Sequence, residues 1–165
     1  MADISFKLHF DDDQRLVELV ELLFFAYRDF VSDPDAILGR IGFGRAHHRV
    51  IHFIGRSPGM AVAELLAILK ITKQSLGRVL RELIERGYVR QEEGALDRRQ
   101  RLLYLTPKGD ELKLQLIAPQ IDRFKRALSG PGKATEREFR GVLLGMIDAE
   151  GQQQFQSLAA GGKEK

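Results

Sequence analysis

The middle of the chain concentrates side chains able to read or grip a polyanion. Thr72, Lys73, Gln74, Ser75, Arg78 and Arg81 follow one another closely, and Asp97-Arg98-Arg99-Gln100-Arg101 comes soon after. Gln pairs bidentately with adenine and Arg with guanine, so Gln74, Arg78 and Arg81 are base-reading types. Thr72 is placed to cap a helix. Lys73 and Ser75 then fall in its first turn, where free backbone N–H groups and the helix dipole favour phosphate. Arg98 and Arg99 suit the narrow, electronegative minor groove. Asp97 has the wrong charge for DNA and is better suited to hold an arginine in place. Any one of these groups could be no more than solvated surface. Their order favours contact with a duplex.

Three histidines form a second constellation. At about 100° per residue, His47 shares a helix face with Phe43, Ala46, Val50 and Ile54. A lone His there is usually a satisfied core residue; the functional alternative is a polar anchor in an effector pocket. His48 and His52 share the opposite face, four residues apart, with Arg45 and Arg49 beside them. That spacing can bind metal, but no carboxylate or Cys lies nearby in sequence and the arginines repel a cation. We therefore expect no metal and no cofactor. His48 and His52 better fit an anionic effector or the DNA backbone.

The elements that must position these residues are legible from periodicity. Residues 11–30 read as a helix opened by Asp11, Asp12 and Asp13, and Ser32-Asp33-Pro34-Asp35 reads as a break. Residues 40–54 read as a second helix and 61–69 as a short third, with Lys70-Ile71-Thr72 as a tight turn. The helix from Lys73 to Arg86 stops at Gly87. It places Leu76, Val79, Leu80, Leu83 and Ile84 in one arc, with Gln74, Arg78, Arg81 and Glu85 opposite. Gly77, odd in mid-helix, lets either DNA or a neighbouring helix come close. Residues 88–90 and 101–105 are β-like and make a hairpin with a basic tip. Thr106-Pro107 starts a helix reaching about Leu128, with Pro119 as a kink. Thr135 and Glu138 form a capping box before a last helix, and residues 161–165 read as a frayed tail.

Composition excludes several classes. With 165 residues, 44% hydrophobic and 30% charged, the chain suits one soluble globular unit. The absence of Cys excludes disulfides, Cys-ligated zinc, iron–sulfur clusters and thiol sensing. No apolar run approaches a bilayer span, and Met1–Phe10 lack a signal-peptide pattern. A cytoplasmic protein without a membrane partner is expected. Net charge is +3, but residues 1–38 carry −6 and residues 70–101 carry +4. No phosphate loop, G-x-S-x-G or H-E-x-x-H motif supports an enzyme.

Short helix, tight turn, capped helix and basic hairpin are the layout of a winged helix-turn-helix. The stretch Ile71–Val89, then Asp97-Arg98-Arg99-Gln100-Arg101 and Leu105-Thr106-Pro107-Lys108-Gly109, resembles the MarR family of bacterial transcription regulators. The family's wing has an acid, two arginines, then a strand ending Leu-Thr-x-x-Gly. The resemblance implies a mainly α fold with a small hairpin. It implies an N-terminal dimerisation helix over 1–38, a winged domain over 39–105, and C-terminal dimerisation helices with a tail over 106–165, forming one unit. It also implies a homodimer, a double-stranded, pseudo-palindromic operator, repression, and release by a small molecule. The alternative from a different class is a winged-helix module whose hairpin serves a protein partner.

Overall fold

The computed structural model describes residues 10–130 and 135–161. The order is α1 (Phe10–Arg40), α2 (Arg45–Arg56), β1 (Met60–Ala61), α3 (Val62–Leu69), α4 (Lys73–Glu85), β2 (Val89–Glu93), β3 (Arg101–Leu105), α5 (Pro107–Leu128), α6 (Glu136–Met146) and α7 (Ala149–Gly161). The expected fold class, mainly helical with a small β-hairpin, forms, and a third short strand extends the hairpin into an antiparallel sheet. Its strands run in the order β1-β3-β2.

Local signals act as expected around the recognition segment. Thr72 Oγ1 accepts the Ser75 N–H at 3.1 Å, filling one of the orphan donors that open α4. At the other end Tyr88 N–H donates to Leu83 O at 2.8 Å and Gly87 N–H to Ile84 O at 3.0 Å. This Schellman arrangement needs a left-handed residue, and Gly87 supplies it at φ +77°. Leu76, Val79, Leu80 and Leu83 of α4 are buried. They pack in one core with Val50, Ile51 and Ile54 of α2 and Leu65 and Leu69 of α3.

Four expectations change. Residues 32–35 do not break the chain, because α1 runs through Pro34. A proline inside a helix strips the carbonyl four residues back of its donor. Here that carbonyl, Phe30 O, takes the side-chain N–H of Gln120 on α5 at 3.4 Å. The ring of Pro34 is fully buried, and Asp33 and Asp35 are used in ion pairs with Arg123 and Arg45. The second helix starts at Arg45 rather than Arg40, since residues 39–40 belong to the end of α1 and Gly42 turns the chain at φ +73°. Met60 and Ala61 form an unexpected strand paired with Leu103 and Leu102. The last helical stretch is two helices, separated where Asp148 Oδ1 accepts the Gly151 N–H at 2.8 Å. α5 continues through Pro119. The expected tail beyond Gly161 lies outside the described residues, as do His9 and residues 131–134.

The Leu-Thr-x-x-Gly ending of β3 acquires a physical reason. Thr106 caps α5 by accepting the Gly109 N–H at 3.1 Å and donates from its hydroxyl to Gly87 O at 2.6 Å. A Cβ on Gly109 would stand 2.1 Å from Tyr88 O, a backbone atom that cannot swing aside. Gly109→Ala should therefore lower stability by about 1–3 kcal/mol, despite the better helix propensity of Ala. Thermal denaturation checks this; an unchanged or raised midpoint would show that α5 shifts freely.

Candidate nucleic-acid interface

Two surfaces meet the requirements of duplex contact. The first is the outer face of α4, where Lys73, Gln74, Arg78 and Arg81 are exposed and Thr72 and Ser75 stand at the capped end. The second is the tip of the β2–β3 hairpin, where Asp97, Arg98 and Arg99 are exposed. Gln74, Arg78, Arg81, Arg98 and Arg99 have no side-chain partner among the described residues, whereas Arg45, Arg86, Arg101 and Arg123 each face a carboxylate. Unpaired guanidinium groups on two neighbouring projections are free to trade water for phosphate or base edges.

The wing tip is held by backbone geometry. Glu93 and Arg101 pair in register across the hairpin, and their side chains form an ion pair at 3.0 Å. Gly94 N–H donates to Gln100 O, and Gln100 N–H donates to Asp97 O, each at 3.0 Å. Asp97 Oδ1 accepts the backbone N–H of Arg99 at 2.9 Å. Asp97 thus engages an arginine through that residue's main chain, and no guanidinium pairs with it among the described residues. Leu96, fully exposed beside it, lies in a stretch with no apolar period.

Gly77 is exposed, and a Cβ built on it meets nothing within 4 Å. Close packing on a neighbouring helix therefore does not explain this glycine. Lys70, at the turn before α4, takes a left-handed backbone at φ 50°. Its ammonium lies 3.0 Å from Glu150 on α7 and 3.8 Å from Asp148. The hydrogen bond that Lys70 donates to Glu150 and the charge of both acids raise the Lys70 pKa. Sequence periodicity carries no sign of this link between α7 and the turn.

The three histidines separate. His47 sits against α4: its Nδ1 accepts the Gly44 N–H at 3.1 Å, and its Nε2 lies 2.9 Å from Glu82 Oε2. Because Nδ1 accepts, Nε2 carries the proton and donates to the carboxylate. The ring also stacks on Phe43 with centroids 4.4 Å apart. The hydrogen bond from His47 holds the Glu82 carboxyl below its ordinary pKa. His48 and His52 point the other way, into a cleft of roughly 450 Å³ between α1, α2 and α5, which Tyr27, Phe30, Arg49 and Gln120 also line. Burial pushes both rings below the usual histidine pKa; for His48 the charge of His52 adds to it, and for His52 the charges of Arg56 and Lys113 do. No group of three metal-ligating side chains occurs among the described residues.

Fold and surface together define a winged helix-turn-helix protein whose second helix and hairpin both present basic side chains unpaired among the described residues. The model of the MarR family matches residues 41–100. The HTH-type transcriptional regulator PetP of Rhodobacter capsulatus is 45% identical over 151 residues, 92% of this chain and 91% of its own. The chain belongs to the MarR family of transcription regulators, proteins that are not enzymes. Among solved structures, a crystal structure of MarR covers 84% of this chain and 90% of that one, at 26% identity and a TM-score of 0.54. Streptococcus pneumoniae FabT in complex with DNA shares the fold at 20% identity and a TM-score of 0.65, covering 89% of this chain and 97% of that one. Among the described residues, no helix is long and apolar enough to cross a membrane.

Proposed function

We propose that this transcription regulator is a cytoplasmic homodimeric repressor. It binds a pseudo-palindromic operator through α4 and the wing, and a small anionic or aromatic effector releases it. The observation that carries the DNA reading is the set of exposed side chains on both projections with no partner among the described residues, Gln74, Arg78 and Arg81 with Arg98 and Arg99. Lys73 and Ser75 supply phosphate contacts at the start of α4, capped by Thr72, and Gln74, Arg78 and Arg81 read bases.

Dimerisation is supported by what one chain leaves uncovered. Phe24 of α1 is 71% exposed and Met146 of α6 61%, with Leu19, Leu22, Phe25 and Val142 similarly bare, and no residue of α6 is buried. Continuous apolar surface of this kind marks an interface, and obligate dimers bury more than about 2,000 Å². Light scattering should find a dimer at micromolar concentration, and selection from a randomised duplex pool should return an inverted repeat. A stable folded monomer would overturn the first claim. Failure to retain any duplex at low salt would overturn the second and favour a protein-binding wing.

The cleft between α1, α2 and α5 is the effector site in this reading, with His48, His52 and Arg49 as its polar groups. His47, committed to Glu82 and Gly44, is outside it. Both cleft rings have lowered pKa values, so they are neutral near pH 7 and bind protons less readily than in the unfolded chain. Their contribution to stability is present above the unfolded pKa and lost as pH falls below it. An anion in the cleft favours the charged rings, so its binding takes up protons. Benzoate should bind more tightly as pH falls from about 7.5 to 6, and this dependence should vanish when His48 and His52 are both alanine. Calorimetry showing pH-independent binding would remove the histidines from the site.

A further inference from the structure

The turn between α1 and α2 is tied to the recognition helix by a polar bracket that the DNA-binding reading does not use. Glu82 lies on the flank of α4, about 40° round from Arg78 and so between the reading face and the buried face. Its Oε2 accepts from His47 Nε2 at 2.9 Å, and its Oε1 lies 3.5 Å from Arg86 Nη1. Each partner is anchored in turn to main chain of the α1–α2 turn. His47 Nδ1 accepts the Gly44 N–H at 3.1 Å, and Arg86 Nη1 donates to Ile41 O at 2.8 Å. The Arg86 guanidinium also lies 4.2 Å above the Phe43 ring.

Apart from a bond from Lys108 Nζ to Arg86 O at its C-terminal end, the other hold on α4 among the described residues is apolar packing by Leu76, Val79, Leu80 and Leu83. Apolar burial is non-directional, so it resists lifting the helix from the core better than turning it. Base readout needs functional atoms placed within about 0.5 Å and 10–20°. Directional bonds on the flank supply what packing lacks. His47 is only 13% exposed at its side chain and Glu82 39%, so the bond between them is partly shielded from water.

We propose that Glu82 is a positioning residue for DNA recognition: held by His47 and Arg86, it sets the rotation of α4 and thereby aims Arg78 and Gln74. The inference rests on the reading in which α4 contacts bases. Charge alone predicts the opposite effect of removing it, because a carboxylate on a DNA-facing helix repels phosphate.

The test uses the full-length protein and two probes: a duplex recovered from a randomised pool by the wild type, and a random-sequence duplex of equal length. Glu82→Ala should weaken binding to the selected duplex about tenfold, the order of one charge-assisted hydrogen bond. It should leave random-duplex binding unchanged or tighter, with little change in melting temperature. Glu82→Gln, whose amide oxygen still accepts from His47, should recover most of the loss. The double variant His47→Ala/Glu82→Ala should bind no worse than the weaker single variant. Unchanged or tighter binding of the selected duplex by Glu82→Ala would overturn the proposal, and so would a Gln variant as poor as Ala or losses that add. Should His47→Ala fail to fold, the Ala and Gln variants at Glu82 decide the matter alone. Arg78→Ala separates the two readings: if it leaves the preference for the selected duplex intact, the reading face itself is wrong, whatever Glu82 does.

Discussion

Arg78→Ala is expected to cost the proposed dimer about 1–3 kcal/mol per half-site on its selected duplex, and much less on random sequence. The reason lies in where the side chain stands. Arg78 is on the exposed arc of α4 with no partner among the described residues, so its loss disturbs neither the core nor an internal ion pair. A guanidinium that pairs bidentately with guanine carries sequence information, whereas one on a phosphate carries only charge. Because a two-fold dimer presents Arg78 twice, the two losses combine across the operator. Gln74→Ala should act in the same direction, at a different base. Competition binding with selected and random duplexes measures the split. Equal weakening of both would mean that these side chains grip phosphate and that specificity resides elsewhere.

The wing should respond to charge and to geometry in separable ways. Arg99→Ala should weaken binding to all sequences and flatten the salt dependence by about two units, one phosphate contact for each subunit. Its folding should be unaffected, since the side chain is exposed and unpaired among the described residues. Asp97 gives the sharper contrast. Its carboxylate holds the Arg99 N–H at 2.9 Å, and its own carbonyl takes the Gln100 N–H. Asp97→Asn keeps a side-chain acceptor and removes the charge, so it should bind DNA as tightly as the wild type or more so. Asp97→Ala removes both; if the turn matters, its binding falls although the protein has become more positive. Fluorescence anisotropy across a salt series distinguishes these outcomes. Tighter binding by the alanine variant would reduce Asp97 to an unfavourable charge, and an unchanged slope for Arg99→Ala would take that arginine off the duplex.

The winged-helix segment was readable in the chain because its signals are local. The Thr72 cap, the Gly87 stop and the Thr135–Glu138 box each join groups within about four positions, the reach of one helical turn. The apolar arc of α4 likewise follows from spacing, except that Ile84, expected within it, is exposed at its edge; the exposure of Gln74, Arg78 and Arg81 opposite follows too. Long-range pairing decided the rest. Pro34 and its polar neighbours have the composition of a turn, yet α1 continues through them, with Gln120, Arg123 and Arg45 bonding Phe30 O, Asp33 and Asp35. Met60 and Ala61 are too short a segment to show a period, and they become a strand by lying against β3. Apolar periodicity placed His47 on the inner face but could not name its partner. Glu82, with the charge and spacing of an ordinary surface residue on α4, becomes that partner only when the fold sets α2 beside α4. A helical period specifies which way a side chain faces; what it meets there depends on segments that the period does not describe.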